Sequence, residues 1–294
     1  MRPARLRART LGGALVLLAA ACDAPSSPPT DGPARRIVCL ACAATDVFAA
    51  LGALDRLVGI EEDCPCEGTD AIFKVRNEDH PGKVTALNVE SVLALRPDAV
   101  LAKPDLRPAL EHRGLRVVYT ADALTWETIP DLVGKVGGLL GRVADANALL
   151  DAMHAKEAAL RARTAGLARV SVYYEANGIG GSVGSRSIVH AMIELAGGRS
   201  IAGDVAKPTV ALTPEAIFAA DPDVIVLGPF TDAPDVVRAR PGWERLRAVR
   251  SGRVHQIPVA RRVVTLATPR CVEGCESMLL PWLHPELGPG TGGR

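Results

Sequence analysis

The sequence predicts an α/β protein made of two parallel-sheet lobes with a long helical connection between them. Three observations carry this. Strand-like and helix-like segments alternate on both sides of a central helical stretch, the pattern of parallel sheets covered by helices. That stretch, residues 125–164, places Ala146, Leu149, Leu150 and Met153 at i, i+3, i+4, i+7, the spacing of one buried helix face. A helix–Pro-Asp–strand phrase also occurs twice, as VESVLALRPDAVLA and PEAIFAADPDVIVL, the echo that two similar lobes would produce.

Taken in order, the chain opens with MRPARLRART, which has four arginines and no acid. An apolar run, 11–21, ends at Cys22. A basic start and an apolar segment too short to span a bilayer read as an export signal. Leu-Ala-Ala-Ala-Cys resembles a bacterial lipoprotein cleavage box, which predicts a signal over 1–22 and lipidation of Cys22. Asp23 after the cysteine resembles an inner-membrane retention signal. Residues 23–34, rich in Pro and Ser, form a tether that cannot pack a core. The first lobe is expected over 35–124, with strands at 36–40, 57–60, 99–102 and 117–120 and helices at 46–54 and 89–95. The connection covers 125–165, and the second lobe 166–294. That lobe has strands at 170–175, 224–227 and 254–257 and helices at 188–196 and 214–219.

Composition narrows the function. Thirty-four basic against 33 acidic side chains leave a net charge of +1, so nothing electrostatic favours nucleic acid. Aromatic residues make up 3%, which argues against a site lined with many stacked rings. There is no H-E-x-x-H and no convincing triad, and the chain is expected not to be an enzyme.

Six of the 7 cysteines sit in tight pairs: Cys39 and Cys42, Cys64 and Cys66, Cys271 and Cys275. Two readings stand. An exported protein meets an oxidising compartment, so Cys39–Cys42 and Cys271–Cys275 are disulfide candidates, whereas C-x-C makes a strained ring. Alternatively, the thiols ligate a metal, a metal–sulfur cluster, or the metal of an incoming complex, because short spacings supply paired soft donors.

The ordered segments carry a family resemblance. RIVCLACAATD, ALGALDRLVGI, NVESVLALRPDAVLA, MIELAGGRSIA, LTPEAIFAADPDVIVL and PGWERLRAVRSGRVHQIP resemble, in sequence order, the substrate-binding proteins of cobalamin and ferric-siderophore ABC importers. The similarity covers about residues 35–285. It implies Rossmann-like lobes joined by one rigid helix, with a ligand cleft between them. It also implies permease and ATPase partners, a monomeric receptor, and a small metal-containing cargo of the cobalamin, siderophore or haem type. The cysteines depart from the family's pattern, except Cys64, which stands where cysteine is common. The resemblance places the three pairs at cleft-facing positions, so all six are expected to share one site, consistent with ligands binding beyond the carboxyl ends of parallel strands.

Arg270, Glu175 and Lys103 are the further cleft candidates, Arg270 for an anionic group, Glu175 at a strand end and Lys103 at the rim. For Arg270, a cap interaction or surface ion pair is the alternative. His190, Tyr173, Tyr174 and Trp126 read more simply as packing residues. In the family one glutamate on each lobe pairs with permease arginines, which implies that role for Glu90 and Glu215; each also fits as a first-turn acid favoured by the helix dipole. The rival function is a redox protein using Cys39-x-x-Cys42, or a metal-storage or sensing lipoprotein without transport.

Overall fold

A computed structural model describes residues 32–287, apart from 63, 65, 76 and 79–85. Cys22, the export signal and most of the tether lie outside the described residues. The end of the tether is already packed: Ala34 is buried and its N–H donates to the carbonyl of Leu139 at 2.7 Å.

The first sheet contains β1 (Ile37–Leu40), β2 (Leu57–Glu61), β3 (Phe73–Val75), β4 (Ala99–Ala102) and β5 (Val117–Tyr119), all parallel, in the order β3-β2-β1-β4-β5. β1 and β4 are buried along their whole length, as their unbroken apolar runs require in a sheet covered on both faces. One residue, Ala41, separates β1 from helix α1 (Cys42–Ala50). The helix thus begins four residues before the sequence-based start at 46. Ala41 has no side chain to cap it, but its carbonyl accepts the N–H groups of Ala44 and Thr45 at 2.9 and 3.1 Å. This early start puts Cys42 at the first helical position, above the carboxyl end of β1.

The helical connection expected over 125–165 holds a shorter helix followed by one long one. α2 (Ile129–Leu140) ends at Gly141, whose φ of +67° suits glycine, and α3 (Val143–Thr164) follows after Arg142. A Cβ at Gly137 would lie 2.6 Å from the Ala146 Cβ, so glycine there permits the close crossing of the pair. At 22 residues, α3 spans about 33 Å. It buries Ala146, Met153 and Leu160. Arg163 also pairs with Glu276 at 2.6 Å, and Lys156 with Glu273, which ties α3 to the last helix of the second lobe.

The second sheet contains β6 (Val170–Glu175), β7 (Gly198–Ser200), β8 (Val224–Leu227) and β9 (Val254–Gln256), again all parallel, in the order β7-β6-β8-β9. The repeated Pro-Asp phrase has a structural counterpart. Asp98 accepts the N–H groups of Arg35 and Arg36 before β1, and Asp223 accepts that of Ser171 at the start of β6. Each aspartate carboxylate fixes the entry of one sheet's inner strand. The last helix runs through Cys271–Gly274, a π turn over Cys275–Leu279, and Leu280–Leu283. One hydrophobic cluster extends from Phe48 and Ile60 through Val136 and Met153 to Met192 and Leu279, joining both lobes to the helical connection.

Candidate functional site

The loops after β1 and β2 bring three thiols together. Cys42 Sγ lies 2.6 Å from Cys64 Sγ, and Cys64 Sγ 3.2 Å from Cys66 Sγ. All three sulfurs fall within 4.8 Å of one another. The Cys64 N–H donates to the Glu61 carbonyl, and Thr69 Oγ1 donates to the Cys66 carbonyl, closing the loop into a turn. Glu61 supplies the cap that α1 lacks: its Oε2 accepts the Cys42 N–H at 3.2 Å, while Oε1 pairs with Lys103. Hydrogen bonds from the neighbouring thiols, that of Cys42 foremost, pull the Cys64 thiol down to about 3. The hydrogen bond to Cys64 pushes Cys42 up to about 12, and Cys66 is raised by its contacts with Cys42 and Cys64.

The second lobe faces this cluster with cations. Arg262 Nη2 lies 3.4 Å from Cys42 Sγ. Arg270 Nη1 pairs with Asp46 Oδ1 of α1 at 2.8 Å. Burial raises the Asp46 pKa, and the Arg270 charge offsets part of that rise. Among the described residues, buried Asp46 Oδ2 and Thr268 Oγ1 have no well-formed hydrogen bond, although the Thr268 hydroxyl is close enough to help offset the rise in the Asp46 pKa. Between these walls lies a cavity of about 280 Å³, lined by Asp46, Cys66 and Glu67 of the first lobe and Arg262, Arg270 and Met278 of the second. The π turn contributes Ser277 and Met278 to its wall. A second hollow, beside Lys103, Thr120 and Asp122, opens beyond the carboxyl ends of β4 and β5.

Three of the six paired cysteines do not join the thiol cluster. Cys39 is fully buried in β1, where it donates to the Ala41 carbonyl and accepts from Thr45 Oγ1, both at 3.4 Å. Its thiol is pushed up to about 12 by burial. Cys271 and Cys275 pack in the core, Cys275 donating to the Met192 carbonyl at 3.3 Å, and burial raises both. The reason is geometric. Cys39 is buried in β1 while Cys42 opens the following helix, and Cys271 and Cys275, four residues apart, share the helix face that packs on the core. Within Cys39-x-x-Cys42, Cys39 is fully buried and Cys42 only partly so.

Comparison with known proteins agrees with this architecture. A family model described as periplasmic binding protein matches residues 37–260. The chain belongs to the periplasmic binding protein family. A "Cobalamin-binding protein" of Halobacterium salinarum is 30% identical over 264 residues, covering 84% of this chain and 67% of that protein. An "Uncharacterized ABC transporter substrate-binding lipoprotein", YvrC of Bacillus subtilis, is 27% identical over 83% of this chain and 78% of its own length. A solved structure of an "ABC-type Fe3+-hydroxamate transport system" from Saccharomonospora viridis superposes with a TM-score of 0.69 at 26% identity, covering 88% of this chain and 95% of that one.

Against this family's two-lobed frame, the other candidates sort by burial. Arg270 lines the cavity. Lys103 pairs with Glu61 and lines the hollow beyond β4 and β5, not the cavity between the lobes. Glu175, expected at the ligand site, has no exposed surface: Arg240 grips both its oxygens at 2.7 and 2.8 Å, and the Tyr173 hydroxyl donates to Oε2. It is a buried anchor for the loop after β8. Tyr173 and Tyr174 are core residues. His190 is partly buried, and its Nδ1 has no partner. Glu90 and Glu215 are both exposed at the second position of helices capped by Asn88 and Thr213. Sequence reasoning missed Asp46, Glu61 and Arg262. Glu61 ends a strand three residues before the C-x-C segment begins, and Asp46 stands at the acidic end of the first family segment, so both carried a signal. Arg262 carried none.

Proposed function

We propose that this chain is the exported, lipid-anchored substrate-binding component of an ABC importer, and that it captures a small metal-containing molecule between its lobes. The observation that carries the reading is the cavity walled by Asp46 and Cys66 on one lobe and by Arg262 and Arg270 on the other. A site shared by two lobes binds by being complementary to both. Its thiols and guanidinium groups offer soft donors to a metal and paired donors to carboxylate or phosphate groups on the same molecule. The relatives named for cobalamin and for an iron–hydroxamate system point to the same class of cargo.

Glu90 and Glu215 serve as permease-docking residues in this reading, one exposed acid on an equivalent helix of each lobe. Lipidation of Cys22 holds the receptor at the membrane, and because one acyl chain anchors weakly, more than one is expected. Mass spectrometry of the exported protein checks this: an unmodified amino terminus on soluble protein would reject it. The cargo reading is tested by titrating the purified full chain with cobalamin and with a ferric hydroxamate. One of them should bind at one per chain, and Arg270→Ala should weaken it about tenfold or more, the loss of one charge-assisted contact. Binding of neither, or binding unchanged by Arg270→Ala, would overturn the reading. Uptake that persists in cells lacking the protein would favour storage or sensing instead.

A further inference from the structure

The cysteine cluster has a composition that cargo capture alone does not require. Among the described residues it is the only group of three or more His, Cys, Asp or Glu side chains able to converge on one ion, and every donor in it is sulfur. We propose that Cys42, Cys64 and Cys66 hold a resident divalent d10 ion of the zinc and cadmium class through three thiolates, with its fourth position open to the interlobe cavity.

Four features of the site support this. Bonds of about 2.3 Å at tetrahedral angles place sulfurs about 3.8 Å apart. The sulfurs here lie at 2.6 Å for Cys42–Cys64 and 3.2 Å for Cys64–Cys66, and within 4.8 Å for all three, so shifts on the order of 1 Å, within reach of side-chain rotation, would seat one ion. An all-sulfur donor set discriminates against magnesium and calcium, which take oxygen ligands. A multi-iron cluster is a poorer fit, since it spreads about four cysteines over different metal atoms and only three gather here.

Three thiolates around a divalent ion leave a net charge of about −1. Arg262, 3.4 Å from Cys42 Sγ, and the start of α1, where Cys42 is the first residue, place positive charge beside that excess.

The outer contacts also resemble those of a built metal site. Glu61 holds the Cys42 backbone, and Thr69 holds the Cys66 carbonyl, so the ligand-bearing loops are fixed by hydrogen bonds of their own. Three protein ligands with one open position is the pattern of zinc sites that engage an exogenous group. Cys66 lines the cavity, so the open position faces the space where cargo would sit. On binding, each thiol that still carries a proton releases it to solvent as its sulfur–metal bond forms, with no change of oxidation state. The metal site stands on the thiol geometry; only the engagement of cargo by the open position rests on the receptor reading.

The test uses the full chain, purified with reductant under anaerobic conditions and stripped with a chelator. Cadmium is the probe, followed by its ultraviolet sulfur-to-metal charge-transfer absorption. Saturation is expected at one ion per chain, with zinc competing for the same site. Cys42→Ser, Cys64→Ser and Cys66→Ser should each weaken binding at least tenfold, while Cys39→Ser, Cys271→Ser and Cys275→Ser retain it. Circular dichroism melts identify any variant that has lost its fold. A thiol-reactive reagent applied to native wild-type protein gives a second readout, because metal should protect these thiols. No saturable band in reduced wild-type protein, or a band that survives in folded Cys64→Ser protein, overturns the proposal. Cobalamin and the ferric hydroxamate are then titrated into metal-loaded and metal-free protein. Equal affinity for both forms overturns engagement by the open position and leaves the resident ion standing. Failure of both complexes to bind either form overturns the receptor reading instead.

Discussion

Arg240→Met separates a structural role for Glu175 from a ligand-binding one. The substitution removes two hydrogen bonds, of 2.7 and 2.8 Å, from a carboxylate with no solvent-exposed surface. Only the Tyr173 hydroxyl, at 3.2 Å, then remains among its side-chain donors. Asp232, the other acid on Arg240, is 56% exposed and is readily resolvated. Nearly all the cost therefore falls on Glu175, and breaking a buried pair on one side costs about 3–5 kcal/mol. For a domain of this size that lowers the melting temperature by about 6–20 °C. Calorimetry or a circular-dichroism melt reads the shift directly. Adding Glu175→Gln to Arg240→Met should recover part of the loss, because a neutral amide needs no counter-charge. A melting temperature unchanged by Arg240→Met, together with lost cargo affinity, would refute the anchor role and return Glu175 to the ligand site.

Three other predictions follow from the geometry. Burial raises the Asp46 pKa, so the folded chain holds that proton more tightly than the unfolded one, and the contribution favours folding at acid pH. It is lost as pH rises from the ordinary carboxylate range through the raised value; Asp46→Asn should flatten that part of a stability-against-pH curve, and an unchanged curve would count against it. Replacing Glu90 and Glu215 with arginine should abolish uptake while cargo affinity holds and stability moves by no more than about 0.5 kcal/mol, because both side chains are exposed. Small-angle scattering should show little closure on cargo binding, because α3 is tied to the last helix by Arg163–Glu276 and a continuous apolar cluster crosses the connection; a large contraction would contradict this.

Much of the fold was legible in the sequence because burial writes itself into the pattern. Ile37–Leu40, Ala99–Ala102 and Val224–Leu227 are apolar runs that had to be inner strands, and all three are. The two Pro-Asp phrases marked equivalent places in the two lobes. The break at Gly141 was harder to see, because Val143 onward continues the apolar periodicity and only the glycine marks the left-handed turn. At the site, the gathering of thiols was legible, but which of them gather was not. A strand end and a helix start decide that Cys39 turns inward while Cys42 faces Cys64, and no spacing rule fixes the phase at such a junction. Arg262 reaches Cys42 from 220 residues away, a contact that only the folded chain defines.

The most direct test of the central claim is the position of the metal. A crystal of the full chain grown with its bound metal complex, with data collected at the metal's absorption edge, would show the metal as an anomalous peak. The account predicts that peak in the cavity between Cys66 and Arg262, in contact with residues of both lobes. A cargo-metal peak on the outer surface, or beside Cys271 and Cys275 in the core, would contradict it, whereas a separate peak on Cys42, Cys64 and Cys66 marks the resident ion.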